Sequence, residues 1–164
     1  MRWGANRTLP YAERLEIEAT HASKFEEWFR WLAGYDNFPF SNVGVNVVGW
    51  AVKDKALLPG PTDHLDVYTD FVDDEGFPTC DPGCSRDEHP DGDYSGCPGG
   101  ADRRFHQFLL FDPISFGDFN MGAATGYGIY ISLFGWENVG RVKEHWPMLV
   151  HEMVCTCSVP MQLE

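Results

Sequence analysis

Near the carboxyl end of this chain, residues 151–155 read HEMVC, a combination of side chains that can hold a metal ion and activate water. On a helix, side chains four residues apart share one face, so those of residues 151 and 155 would lie together. With histidine at both positions, such a helix binds zinc, and the glutamate between them activates a water molecule. Here the fifth position is Cys155, and the question is whether this site is intact, altered or cut off.

Three further cysteines lie in one stretch, CDPGCSRDEHPDGDYSGC, which is rich in Pro, Gly and Asp and cannot build much core of its own. Disulfides would constrain such a loop in an oxidising compartment. Three cysteines leave one unpaired, unless Cys155, Cys157 or a cysteine outside this sequence completes the set. A second interpretation is a zinc knuckle with four ligands, Cys80, Cys84, His89 and Cys97.

The same stretch carries a cluster of acidic side chains. Asp87, Asp91 and Asp93 stand beside Gly92, and closely spaced oxygen donors of this kind form calcium loops. The match to an EF-hand loop is poor. We therefore expect a solvated surface loop, with calcium as the alternative that the number of oxygen ligands would test.

Charge and hydropathy exclude several classes of partner. The 164 residues include 12 basic and 25 acidic side chains, a net charge of -13, which repels phosphate backbones and anionic membrane surfaces. The sequence has no apolar run of the roughly 20 residues that a membrane-spanning helix needs. Its first residues, MRWGANRTLP, do not look like a signal peptide. We expect neither nucleic acid nor a membrane as partner.

The pattern of apolar residues predicts one α/β domain over residues 1–164. Residues 10–34 have Pro near the start, Gly at the end and apolar residues at three- and four-residue steps, which predicts an amphipathic helix. Its aromatic end, Trp28, Phe29 and Trp31, suggests either a sugar-stacking platform or packing on a sheet, and packing is the expected role. Three segments predict strands: VGVNVVGWAV, HLDVYTDF and HQFLLFD.

Beyond these strands, GDFNMGAATGYG lacks the arrangement of a phosphate-binding loop, and we interpret it as an irregular loop. The last apolar segment predicts a helix that Pro147 kinks or starts. The predicted fold is a mixed twisted sheet with a helix packed on it, a long acidic cysteine-containing loop, and a last helix that carries His-Glu. That order of elements is typical of a zincin.

Two long stretches carry a family resemblance: FEEWFRWLAGYDNFPFSNVGVNVVGWAVKDKALLPGPTDHLDVYTD and CDPGCSRDEHPDGDYSGCPGGADRRF. They resemble secreted fungal and bacterial proteins often named carbohydrate-binding or cellulose-binding family proteins. In that family the last helix continues as HE-x-GH and then an Asp-rich segment, similar to metzincin-type zinc peptidases. The resemblance implies that His151 is a zinc ligand and Glu152 the general base. It also implies an extracellular location and a substrate that is a peptide or is associated with polysaccharide.

After Met153 the sequence departs from the family pattern. Val154-Cys155 replaces Gly-His, and the segment that would supply a third ligand is absent; His106 and His145 are candidates that sequence cannot place. Because Val-Cys is compatible with GTATGT, which commonly opens fungal introns, we hypothesise that VCTCSVPMQLE is translated intron. The resemblance also implies further sequence ahead of RWGANRTL, including a cysteine that could pair with the odd one in the acidic loop.

Two functional classes remain. The first is a secreted zinc metallopeptidase-like domain that lacks its C-terminal subdomain. It is expected to be inactive, because His151 is the one zinc ligand of the family pattern that this sequence retains. The second is a non-catalytic carbohydrate-associated binding module, as the usual name of the family implies. A third interpretation of the sequence is a structural or interaction domain without any site.

Overall fold

The structure is a computed structural model that describes residues 1–140 and 147–157. The described chain forms one six-stranded sheet with helices packed against it. The strands are β1 (Arg2–Trp3), β2 (Gly49–Val52), β3 (Asp66–Tyr68), β4 (Phe108–Asp112), β5 (Gly122–Thr125) and β6 (Gly128–Ser132). The helices are α1 (Tyr11–Arg30), α2 (Leu133–Gly135), a π-helical turn (Trp136–Gly140) and α3 (Pro147–Cys157).

The strand order is β3-β2-β1-β4-β6-β5, and every neighbouring pair is parallel except β5 and β6. Helix α1 connects the parallel strands β1 and β2, as a crossover connection between parallel strands requires. The predicted α/β class and the mixed sheet are confirmed. Strand β1 was not predicted, because two residues at the start of a sequence carry no periodic signal.

Helix α1 lies within the range predicted for it, but the face that it buries differs in part from the predicted one. Phe29 is buried as expected, whereas Leu15 is 43% exposed and Trp31 is 79% exposed. Ile17, which was not on the predicted apolar face, is buried. The expected packing of Trp31 is therefore wrong. The buried face instead includes the charged Glu13, because that carboxylate is paired with Arg7 and accepts a hydrogen bond from the indole of Trp136.

The glycine-rich segment before α2 is not an irregular loop. Its second half forms β5 and a turn through Gly126, and its last residue, Gly128, begins β6, which pairs with β5 as an antiparallel hairpin. The φ of 53° at Gly126 is in the left-handed region that favours glycine. A Cβ at Gly128 would lie 2.4 Å from the ring of Phe108, so glycine is needed there for close packing between strands. The prediction was wrong because these glycines serve turn geometry and close approach, which composition alone does not reveal.

The acidic loop is constrained by a disulfide between Cys84 and Cys97. Both sulfur-bearing residues are buried with Tyr94 in a small second cluster, separate from the main core. The predicted disulfide is confirmed, and the zinc-knuckle interpretation is wrong because two of its three thiols, those of Cys84 and Cys97, are in that bond. Among the cysteines whose side chains the structure describes, Cys80 is free and buried.

The main core joins the sheet to both long helices. Trp3 and Trp50 from the central strands are fully buried, together with Ile17 of α1 and with Leu149 and Met153 of α3. Helix α3 contacts α1, β5 and β6. The core therefore holds the helix that carries the predicted site against the antiparallel edge of the sheet.

Candidate functional site

His151 and Glu152 occupy different environments on α3. Leu149 and Met153, four residues apart, are 1% and 0% exposed and fix the helix in the core. His151 lies between them in sequence and is exposed, because two residues along a helix correspond to about 200° of rotation. Glu152 is only 8% exposed. The sequence-predicted pair thus consists of one solvent-facing imidazole and one buried carboxyl group.

The carboxyl group of Glu152 is buried against strand β5. A Cβ built on Gly122 would lie 3.0 Å from Cγ of Glu152, so the absence of a side chain at Gly122 makes room for the glutamate. Burial raises the pKa of Glu152, and the nearby His151 opposes that rise. A carboxyl group with a raised pKa beside an accessible edge is a candidate for proton transfer.

Strand β5 lies at the end of the sheet order and is paired on one side by β6. The residues that lead into β5 expose large apolar side chains: Ile114 is 71%, Phe119 is 67% and Met121 is 50% exposed. An exposed strand edge can accept an extended peptide through main-chain hydrogen bonds. The segment that leads into β5, the strand that Glu152 contacts, therefore exposes apolar side chains.

The described residues do not complete a zinc site around His151. Within residues 1–140 and 147–157, no group of three or more His, Cys, Asp or Glu side chains is arranged to hold a metal ion. His106 precedes β4 and lines a cavity described below. His145 lies outside the described residues, and so does the side chain of Cys155. The described residues therefore do not provide the three protein ligands that a catalytic zinc site needs, and we derive no catalytic step through the metal.

The acidic residues proposed for calcium have local roles in the loop. The Asp91 carboxylate accepts a hydrogen bond from the backbone N–H of Asp93 at 3.1 Å, and the Asp93 carboxylate accepts one from Ser95 at 2.9 Å. The bond from the Ser95 backbone lowers the pKa of Asp93. These contacts are those of side chains that stabilise turns.

A cavity of about 340 Å³ lies at the start of the parallel strands and was not expected from the sequence. Its polar lining includes His21 of α1, which is 7% exposed and whose Nδ1 has no hydrogen-bond partner among the described residues. Burial, and secondarily the Met1 ammonium, lower the pKa of His21 to about 4. The thiol of Cys80 also lines the cavity, and burial raises its pKa. A histidine on the buried face of a predicted helix was the only sequence signal for this cavity.

Two aromatic side chains after α1 face solvent. Trp31 is 79% exposed and Tyr35 is 71% exposed. A series of ring contacts links α1 to the following turn: the ring centroids of Phe25 and Phe29 lie 4.6 Å apart, and those of Phe29 and Phe38 lie 6.0 Å apart. The exposed rings of Trp31 and Tyr35 are a candidate surface for stacking on sugar rings.

No protein-family model, curated protein or solved structure matches this chain. Among the described residues, no helix has the length and apolarity to cross a membrane.

Proposed function

We propose that this chain is a secreted metallopeptidase-like domain of zincin type that does not hydrolyse peptides as it stands. The observation that carries the proposal is the position of Glu152. It is a buried carboxyl group on a helix, packed against a glycine of an antiparallel edge strand, with His151 exposed one position before it. The disulfide between Cys84 and Cys97 supports an oxidising, extracellular location.

This arrangement suits a peptide better than a compact ligand. An extended peptide that pairs with β5 would place main-chain carbonyl groups beside the helix that carries Glu152. Its side chains would meet the apolar residues Ile114, Phe119 and Met121, which otherwise face water. A general base needs hydrogen-bond reach to its substrate, and the contact between Glu152 and Gly122 in β5 favours that proximity.

The proposed lack of peptide hydrolysis follows from the number of zinc ligands. A catalytic zinc site needs three protein ligands and one open position, and the described residues contain no group of three side chains that could hold a metal ion. The sequence places cysteine where the pattern has its second histidine.

The experiment compares the wild type with the double variant Val154→Gly, Cys155→His in zinc binding and in casein hydrolysis. We expect the double variant to bind zinc at least about tenfold more tightly than the wild type, because two histidines one helical turn apart can hold the ion together. Adding His151→Ala should abolish the gain, whereas His89→Ala, a histidine stacked on Tyr94 in the acidic loop, should not. Equal zinc affinity in the wild type and the double variant would contradict the proposal, as would casein hydrolysis by the wild type.

A second candidate function is carbohydrate binding, which the exposure of Trp31 and Tyr35 favours. Aromatic side chains with free faces bind sugars by stacking. In a cellulose pull-down, Trp31→Ala with Tyr35→Ala should release the protein, while Phe119→Ala, another exposed aromatic, and Glu152→Ala should not. Retention of the double variant on cellulose would exclude this surface as the binding site.

A further inference from the structure

Three rings of α1 line the cavity of about 340 Å³. His21, Phe25 and Phe29 are four residues apart, so their side chains lie in a row on one face of the helix. The ring centroids of His21 and Phe25 are 6.1 Å apart, and those of Phe25 and Phe29 are 4.6 Å apart. Aromatic rings make favourable offset-stacked and edge-to-face contacts with other rings. This row therefore favours an aromatic ligand over an aliphatic chain.

The segment ahead of β2 supplies another part of the lining. Val43, Val45 and Val47 are half-buried, whereas Gly44 and Asn46 between them are exposed. This alternation is that of an extended chain with one face turned inward. The three valines therefore add an apolar surface to the cavity.

One polar atom of the lining lacks a partner. The Nδ1 atom of His21 is buried and has no hydrogen-bond partner among the described residues, on a side chain that is 7% exposed. A buried nitrogen left unpaired costs free energy that a hydrogen bond recovers. Because His21 lines the cavity, a ligand bound there can supply that hydrogen bond.

The state of His21 selects the polar group of the ligand. Burial lowers its pKa to about 4, so the ring is neutral at pH 7. In a neutral imidazole, Nδ1 donates in one tautomer and accepts in the other. A hydroxyl group can match either tautomer, whereas a carboxylate can only accept and an ammonium group can only donate. Burial of either charge beside a neutral ring also costs more than burial of a hydroxyl group.

The volume of the cavity sets the size of the ligand. An apolar cavity of about 150 Å³ holds one benzene ring, and this cavity measures about 340 Å³. It therefore has room for two fused rings.

We propose that this cavity binds a small neutral aromatic alcohol with two fused rings, whose hydroxyl group forms a hydrogen bond with Nδ1 of His21. The exposed lining residues Gly44, Asn46 and His106 mark where the cavity meets solvent and the ligand enters. The inference does not rest on the proposed peptidase-like function, because Glu152 packs on β5 whereas the cavity is lined by α1, residues 43–49 and β4.

The experiment titrates the full chain at pH 7 with three compounds that share two fused rings and differ in the polar group: 2-naphthol, naphthalene and 2-naphthoate. Ligand fluorescence measures the affinities. We expect naphthol to bind at least about fivefold more tightly than naphthalene, the effect of one hydrogen bond. Naphthoate should bind at least about tenfold more weakly than naphthol, because its charge is buried without a partner. Bound naphthol should also slow the alkylation of Cys80, located by peptide mapping, because that residue lines the cavity.

Two substitutions test the residues that form the site. His21→Leu should remove the preference for naphthol over naphthalene while changing the affinity for naphthalene by no more than about twofold, since only the hydrogen bond is lost. Val45→Phe should weaken both compounds by at least about tenfold, because the larger side chain occupies the cavity. Gly44→Ala is its matched control and should weaken neither, since a Cβ there has no neighbour within 4 Å.

Four results would overturn the proposal. The first two are equal affinity of the wild type for naphthol and naphthalene, and a preference for naphthol that persists in His21→Leu. The third is alkylation of Cys80 at the same rate with and without naphthol. The fourth is binding of naphthoate as tight as that of naphthol and lost in Arg104→Met, because the ligand would then be a carboxylate held by that exposed lining residue.

The comparison of the three compounds in the wild type needs no variant, so it decides the proposal even if His21→Leu does not fold.

Discussion

Glu152 of α3 packs directly on Gly122 of β5 across the helix-sheet interface, where a Cβ on the glycine would lie 3.0 Å from Cγ of the glutamate. The same Cβ would lie 3.0 Å from the carbonyl oxygen of Tyr130 and 3.2 Å from Ile131. Neither backbone nor core side chain can move away easily, because both belong to the packed sheet.

Gly122→Ala should therefore destabilise the protein by about 1–3 kcal/mol through overpacking. Chemical denaturation at constant pH measures the change. Gly96→Ala is the matched control, since a Cβ there has no neighbour within 4 Å. If both substitutions have the same small effect, α3 is not seated on β5 as described.

Glu152 should make stability depend on pH. Its folded pKa lies above the ordinary value of 4.5 because burial disfavours the carboxylate. The folded state then holds this proton more tightly than the unfolded state, so stability is lost as pH rises from about 4.5 through the folded pKa.

Glu152→Gln should remove that loss of stability. The free energy of unfolding of the variant should therefore exceed that of the wild type by more as pH rises. His151→Ala, which keeps Glu152, should increase the loss of stability with rising pH. The reason is that His151 lowers the pKa of Glu152. Unfolding free energies measured between pH 4 and 8 test both expectations. A constant difference between Glu152→Gln and wild type across that range would show that the carboxyl group is not desolvated.

His21 should produce the opposite slope. Burial lowers its pKa from 6.5 to about 4, so the unfolded state binds the proton more tightly and stability falls as pH drops through that window. The full effect is about 3 kcal/mol.

His21→Leu, which is similar in size and does not titrate, should remove this part of the acid sensitivity. Denaturation curves at pH 7, 5.5 and 4 measure it. Equal acid sensitivity in the two proteins would mean that His21 is accessible to water.

The disulfide between Cys84 and Cys97 should stabilise the acidic loop. The two cysteines are 13 residues apart, and closing a loop of that length contributes about 3 kcal/mol through the unfolded state. Cys84→Ala with Cys97→Ala should lower the free energy of unfolding by that order and make it insensitive to reductant.

Cys80→Ala should leave the effect of reductant intact, because Cys80 is not in that bond. Denaturation with and without reductant makes the comparison. Loss of reductant sensitivity in Cys80→Ala would indicate a different disulfide pairing.

Several features of the fold were open to prediction because they depend on local patterns. The helix over residues 11–30 and the strands around Val67 and Leu110 follow from apolar spacing. The disulfide was expected from cysteines in a loop without core. The pairing was not, because three cysteines allow more than one bond and only their positions in space choose between them.

The hairpin of β5 and β6 was missed for a physical reason. Gly122 and Gly128 are glycines because other atoms occupy the space of their side chains, and those atoms come from distant parts of the chain: Glu152 and Phe108. The exposed Trp31 was likewise expected to pack. Its position in sequence is suitable for packing, but in the described part of the chain its side chain is 79% exposed.

The sequence by itself determined the residue types at the candidate site, the α/β class and the need for a disulfide, because these depend on composition, spacing and local preference. Only the tertiary structure decided that Glu152 is buried while His151 faces water, and that β1 lies between two longer strands above a cavity. Such facts depend on contacts between segments that are far apart along the chain, such as Arg2 and Leu110. Their energies come from burial and main-chain pairing, which no local pattern encodes.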